Sequence, residues 1–198
     1  VFRGLHRQRV HHNLKKFGSF FKMDKIVSQW EVIRDEIKNI KTFHHEIGRP
    51  KADWVELDPE MYTMIAQSNG WTYIGDTDKK WWNFPIIVDG QATETALEKT
   101  PRTTELLREI PDAYICGYSL LLGQGIISPH VDAPNGNGPN GSVTCHLGLI
   151  CPEGNYLIQP NRVQKEEDGK LVAFNHTVTH SAVNLSYAPR VILYMSFR

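Results

Sequence analysis

Alternating and helical hydrophobic patterns divide the chain into a helical first third and a strand-rich remainder. Ile26, Trp30, Ile33, Ile37 and Ile40 recur at steps of four, three, four and three, a single apolar stripe on a helix that Asp24 is placed to cap. That stripe predicts a helix packed on the outside of a sheet. Thr100 as cap and Pro101 at the first helical position announce a second helix, which must end before Pro111. Strand-like stretches follow over 113–122, 143–150, 170–174 and 190–197. In the second of these, Val143, Cys145, Leu147 and Leu149 alternate with Thr144, His146, Gly148 and Ile150, so Thr144 and His146 share a face that is a candidate barrel interior. The last, from Arg190 to Phe197, is nearly all apolar and reads as buried on both faces.

Chemistry concentrates where these strands end. His130-x-Asp132, then His180, then Arg190 fall in that order within about the last 70 residues. Two imidazoles and one carboxylate can occupy one face of an octahedral Fe(II) and leave three positions for a chelating co-substrate and O2. An arginine ten residues beyond the second histidine suits an acidic co-substrate such as 2-oxoglutarate. Buried at a strand start, it requires an anion.

The dyad by itself is weak, because 9 His and 22 Asp plus Glu in 198 residues predict about one His-x-acid match by chance. His44-His45-Glu46 is such a match, without a partner histidine or glycine-rich surroundings downstream, and reads as a solvated helix end. His130-x-Asp132 differs in context, lying where a strand opens into the loop 134–141, rich in Asn, Gly and Pro. That loop is either a lid at the mouth of the site or a surface connection.

Several segments together resemble the aspartyl/asparaginyl β-hydroxylase family of Fe(II)- and 2-oxoglutarate-dependent oxygenases, from about Trp30 to Arg198. They are Ser119-Leu-Leu-Leu-Gly-Gln-Gly-Ile-Ile-Ser-Pro-His130, Cys145-His-Leu-Gly-Leu-Ile-Cys-Pro152, Glu167-Asp-Gly-Lys-Leu-Val-Ala-Phe174, His180 and, less closely, Pro189-Arg-Val-Ile-Leu193. Trp81-Trp-Asn-Phe-Pro-Ile-Ile-Val-Asp-Gly90 resembles the family's substrate-side strand more loosely.

The resemblance implies a mainly β fold with flanking helices, the double-stranded β-helix or cupin-like jelly roll. It implies that His130 and His180 ligate iron and that Arg190 pairs with the distal carboxylate of 2-oxoglutarate. Ser119 and His146 match positions that help hold this co-substrate. Asp132 stands where some members have glycine, which completes a facial triad and favours hydroxylation over halogenation. Thr144 stands where better known members place an arginine, which leaves the co-substrate's other carboxylate without an assigned partner. The implied activity is a dioxygenase that hydroxylates an unactivated C–H, with ascorbate as reductant in vitro, and releases succinate and CO2. Its implied substrate is the β-carbon of an Asp/Asn-type residue or a related small amino acid, with a lipid acyl chain as the alternative. Rival classes are a non-redox cupin-type metalloprotein and a sensor that binds metal or 2-oxoglutarate without turnover.

Composition sets the remaining bounds. A chain of 198 residues, 40% hydrophobic, suits one oxygenase domain over 23–198, with a helical preface over about 23–70 and a β core over about 71–198. Residues 1–22 carry six Lys or Arg and no acid, and read as a basic, mobile extension. Zero formal net charge argues against nucleic acid as partner, and no stretch reaches the length of an apolar membrane span. The partner expected is a small molecule or peptide. Cys116, Cys145 and Cys151 are odd in number and sit on or beside core strands, which predicts reduced thiols in a reducing, cytoplasmic setting. Trp71, Tyr73, Trp81, Trp82 and Phe84 either line a cleft or fill the core.

Overall fold

The computed structural model describes residues 19–40, 67–74, 80–136 and 141–198. Most of the basic extension and the His44-His45-Glu46 motif lie outside the described residues, as do positions 137–140 of the Asn/Gly loop.

The apolar stripe forms the predicted helix, but in two pieces, α1 (Ser19–Ser28) and α2 (Trp30–Glu36), followed by a 3-10 turn (Ile37–Asn39). Ile26, Ile33, Ile37 and Ile40 are fully buried and Trp30 is partly so. Asp24 is not the cap. The helix opens at Ser19, so Asp24 lies within it, and the boundary drawn between residues 22 and 23 falls inside the same helix. Met23 is buried with the stripe, because it stands one helical turn before Ile26.

Two further helices, α3 (Glu94–Lys99) and α4 (Pro101–Arg108), meet at Thr100. The sequence pattern announced α4 and missed α3, a six-residue helix whose cap is Thr93, the hydroxyl accepting from Ala96 N at 3.2 Å. Thr100 precedes α4 as expected, yet its hydroxyl turns back to donate to Ala96 O at 3.1 Å. The exposed N–H groups of α4 find another partner. The Glu36 carboxylate, from the end of α2, accepts from the backbone of Arg102 (2.8 Å) and Thr103 (2.7 Å) and from the Thr103 hydroxyl (2.6 Å). This is an acidic cap supplied across 60-odd residues of chain, and it fixes α2 against α4. Glu36→Ala is therefore expected to destabilise the fold by about 1–2 kcal/mol, read as a lower urea midpoint. An unchanged midpoint would mean the contact contributes nothing.

Eleven strands among the described residues build two antiparallel sheets. The larger contains β1 (Thr72–Tyr73), β2 (Trp81–Val88), β4 (Ala113–Leu121), β11 (Arg190–Phe197), β6 (Val143–Ile150) and β9 (Leu171–Asn175), hydrogen-bonded in that order, with β3 (Gln91–Ala92) beside β2. The smaller runs β5 (Gly125–His130), β10 (His180–Asn184), β7 (Asn155–Gln159), β8 (Arg162–Lys165). This is the double-stranded β-helix expected, mainly β with flanking helices.

Period two decides which side chains meet the helices and which meet the interior. Cys145, Leu147 and Leu149 of β6 and Val191, Leu193, Met195 and Phe197 of β11 pack with the helical stripe in the main core. Their alternates, Thr144, His146, Arg190, Tyr194 and Ser196, line a cavity between the sheets. The aromatic cluster is split by the same rule: Trp82 and Phe84 join the core, with Trp71 against Phe84, while Trp81 faces the cavity. Cys116 and Cys145 are free, buried thiols, each pushed up to about 12 by burial, and so behave as small apolar side chains.

Candidate metal centre

His130 ends β5 and His180 begins β10, and the two are direct partners in the antiparallel register. The pairing then slips between His180 and Ala182, leaving an extra residue in β5 beside Pro129. A proline is tolerated there because β5 is an edge strand and the bulge needs no ladder hydrogen bond from it. The outcome is a close pair of rings, centroids 4.2 Å apart.

Each ring is held by its inner nitrogen. His130 Nδ1 donates to Ser128 O (2.8 Å) and His180 Nδ1 donates to Val178 O (3.0 Å). A carbonyl only accepts, so both histidines keep the proton on Nδ1 and present the Nε2 lone pair. Asp132 reaches the same point from the loop, its carboxylate oxygens 3.9 Å from His130 Nε2 and 3.6 Å from His180 Nε2. One ligand atom from each of the three falls within 4.8 Å of the others. Asp132 is itself tied down, its backbone N–H donating to His176 O at 3.1 Å. Burial lowers the His180 imidazole, which keeps it a neutral ligand near neutral pH. Two neutral nitrogens and one exposed carboxylate facing one point fit a divalent first-row metal with open positions.

His176 stays out of this cluster but is not idle. It is buried, donating from Nε2 to Ala133 O (3.2 Å) and accepting at Nδ1 from the Thr144 hydroxyl (2.8 Å), which in turn accepts from Ser196 (2.7 Å). His176→Ala is expected to retain metal and lose about 1–3 kcal/mol of stability, because Thr144 loses its acceptor. Loss of metal without loss of stability would make His176 a ligand.

At Arg190 the structure adds a partner that the sequence did not reveal. The arginine does meet an anion, but that anion belongs to the protein. Glu166 accepts from Arg190 Nε (2.7 Å) and Nη2 (2.6 Å), and both side chains are 1% exposed. The same carboxylate accepts from His146 Nδ1 at 2.8 Å. Burial alone would raise the Glu166 carboxyl; Arg190 and His146 outweigh it and hold it down at about 2. Burial also lowers His146, against the pull of Glu166, so the ring is neutral and its second nitrogen is an acceptor.

Glu166 escaped the sequence reading because the pair spans 24 residues and nothing local marks it. Gly148 makes it possible: a Cβ there would fall 2.0 Å from Glu167 O, so only glycine lets the 166–170 segment lie against β6. Ser119, on β4, lies directly across from Asn83 and Ile192, and its hydroxyl accepts from Trp81 Nε1 at 2.9 Å. The cavity has a volume of about 390 Å³, and Ser119, His130, Asp132, His146, His180 and Arg190 all line it. Two buried polar atoms in its wall lack a protein partner, Arg190 Nη1 and Asn83 Oδ1.

A three-residue cluster at one mouth and a buried arginine deeper in, enclosed by two antiparallel sheets, place the molecule among the double-stranded β-helix proteins with a candidate metal centre. The chain belongs to the aspartyl/asparaginyl β-hydroxylase family, whose model matches residues 27–198. It is 30% identical over 125 residues to an ornithine lipid ester-linked acyl 2-hydroxylase of Rhizobium tropici, covering 61% of this chain and 42% of that one. It is 27% identical over 138 residues to mouse aspartate beta-hydroxylase domain-containing protein 2, covering 66% of this chain and 39% of that protein. The chain thus spans about two fifths of the length of these curated relatives. Solved structures similar to it include a 2OG-Fe(II) oxygenase family oxidoreductase from Burkholderia pseudomallei (TM-score 0.43, 16% identity, 60% of this chain and 68% of that one). The DMSP lyase DddQ of Ruegeria pomeroyi is another (TM-score 0.45, 13% identity, 75% and 72%). Among the described residues no helix is long and apolar enough to cross a membrane.

Proposed function

We propose that this chain is a dioxygenase that inserts one oxygen atom of O2 into an unactivated C–H bond, with Fe(II) held by His130, Asp132 and His180 and 2-oxoglutarate held at Arg190 and Ser119. The observation that carries this reading is the pair of Nε2 lone pairs turned toward one carboxylate, each imidazole fixed by a carbonyl behind it. Bound iron would supply the redox chemistry, in which 2-oxoglutarate, O2 and R–H give succinate, CO2 and R–OH. The protein's own part is positional. β5 and β10 present the ligands from one side, the opposite sheet presents Ser119, His146 and Arg190, and the cavity walls shield the space between from bulk water.

Residues 23–198 are taken as one oxygenase domain, with the first helix beginning just upstream. An Asp- or Asn-type side chain, free or in a peptide, is the substrate that the family's name suggests. A specific observation favours the second reading, an acyl chain. Trp81, Ile115, Ile127, Leu157, Phe174 and Ala182 give the cavity largely apolar walls, and among the described residues its one cation is already paired. The Rhizobium tropici relative, an acyl 2-hydroxylase by name, supports this.

The test is incubation of the purified protein with Fe(II), 2-oxoglutarate, ascorbate and O2, with and without peptide or acyl substrates, measuring succinate and a gain of one oxygen. Succinate formation that depends on iron supports the reading. Tight stoichiometric zinc and no succinate with any substrate would favour a non-redox metalloprotein instead.

A further inference from the structure

The buried end of the cavity is a cluster closed on one carboxylate. Glu166 Oε1 accepts both from His146 Nδ1 (2.8 Å) and from Arg190 Nη2 (2.6 Å), and Oε2 accepts from Arg190 Nε (2.7 Å). The charges of this cluster cancel. Arg190 is positive, Glu166 is negative, and His146 is neutral because its desolvation on burial outweighs the pull of Glu166. Two places remain open toward the cavity. Glu166 engages only two of the guanidinium N–H groups, so the Nη1/Nη2 edge is free as a two-pronged donor face, and Nη1 is buried without a partner. His146 carries its proton on Nδ1 against Glu166, which leaves the lone pair of Nε2 bare in the cavity that the ring lines.

A carboxylate docked on that edge changes the count. One guanidinium and two carboxylates leave an uncompensated negative charge beside side chains that are 1% exposed, where a lone charge is costly. The uncharged donors that also line the cavity, Asn83, Ser119, Ser181 and Tyr194, can bond to a carboxylate but bring no charge to offset it. The other titratable groups nearby are committed. Tyr194, directly across from His146 on β11, stays a neutral phenol because burial raises it. His176 is engaged at both ring nitrogens, and His130 and His180 turn theirs to Ser128 or Val178 on one side and toward Asp132 on the other. On its remaining side His146 meets the apolar Val172 and Phe174 of β9, the Phe174 ring 4.9 Å from its own. We infer that the co-substrate enters together with a proton: as its distal carboxylate docks on the open edge of Arg190, His146 is protonated at Nε2 and the cluster is neutral again, two cations facing two anions. This rests on the co-substrate reading above and adds the state of charge in which that ligand is held. The proton comes from solvent, and the N–H it forms is the only bond made. The imidazolium then donates to Glu166 on one side and to the ligand on the other, so each anion keeps a charged partner.

The test is calorimetric titration of the Mn(II)-loaded full chain with 2-oxoglutarate at about pH 7, in buffers of low and high ionisation enthalpy, because the difference in observed heat counts the protons exchanged. Wild type is expected to take up about one proton per 2-oxoglutarate bound. A ring that is neutral in the empty cavity and charged in the filled one gains its proton with the ligand, so affinity should fall, by up to about tenfold per pH unit, as the pH rises through the raised value of the complexed ring. 2-Oxopentanoate, which has a methyl group in place of the distal carboxylate, should bind without uptake. His146→Gln, which can still donate to Glu166 but cannot be protonated, should bind 2-oxoglutarate more weakly, with no uptake and a flat pH profile. A purely structural role for His146 would weaken binding and leave the proton count unchanged. Absence of uptake by wild type overturns the inference whatever the variant does, as does equal uptake with 2-oxopentanoate or uptake that persists in folded His146→Gln. Failure of the Mn(II)-loaded wild type to bind 2-oxoglutarate at all removes the co-substrate reading itself, and this inference with it.

Discussion

Alanine in place of His130 or His180 is expected to strip the metal from the protein and to end succinate production. Each ring supplies one of three ligand atoms, and nothing adjacent replaces it, since His176 is committed to Ala133 and Thr144. A two-ligand remnant of a first-row site binds far more weakly, so iron content after dialysis should fall from about one per chain to near zero. His130 is the cleaner probe, because its side chain is one-third exposed and its removal leaves only a small void. Asp132→Ala should have a graded effect, because two imidazoles remain to hold the ion. A folded His130→Ala protein that still holds one iron per chain would refute the assignment.

The second large effect is expected at Arg190. Removing the guanidinium strands a carboxylate that is 1% exposed, and breaking one side of a buried pair costs about 3–5 kcal/mol. Arg190→Ala should therefore lower the urea midpoint more than any ligand-site variant. Replacing both partners by apolar residues of similar volume, Arg190→Met with Glu166→Leu, should recover much of the loss, since no charge is left alone. If the double variant is as unstable as the single one, the pair contributes packing and not charge. The same pair predicts a pH dependence. Glu166 is held at about 2 against an ordinary 4.5, so its stabilising share is complete above about 4.5 and is lost as the pH falls from there toward 2. Across that window the stability gap between wild type and Glu166→Gln should close.

Much of this architecture could be read from period-two patterning. β6 was expected at its observed limits from its alternation, and β11 at its limits from a nearly all-apolar run that reads as buried on both faces. β7 and β8 were not anticipated: Asn155–Gln159 and Arg162–Lys165 are short and half-exposed, and their fixed place comes from pairing with β10 and with each other. The turn of chain through Gly123 and Gln124, which carries β5 into the other sheet, was hidden for a similar reason. At the site, order and context singled out His130, Asp132, His180 and Arg190, and the family resemblance added Ser119 and His146; all six line the same cavity. The partner of Arg190 was not among them: the anion that a buried arginine needs was assigned to the co-substrate, and a carboxylate of the protein was not considered. Glu166 opens a run of three acids with Glu167 and Asp168, and nothing in that run marks which one turns inward. Only the approach of backbone over Gly148 selects the first.

The cross-strand pairing of His130 with His180 ties the chemistry to the assembly of the smaller sheet. A slip of one residue between β5 and β10 would turn one histidine to the opposite face, and a chain folded out of step would own every ligand and yet possess no site. An ion bound there would stabilise only the in-step arrangement, by mass action. The metal would then serve as a proof-reader of the edge strand, rewarding the one alignment in which it can later work.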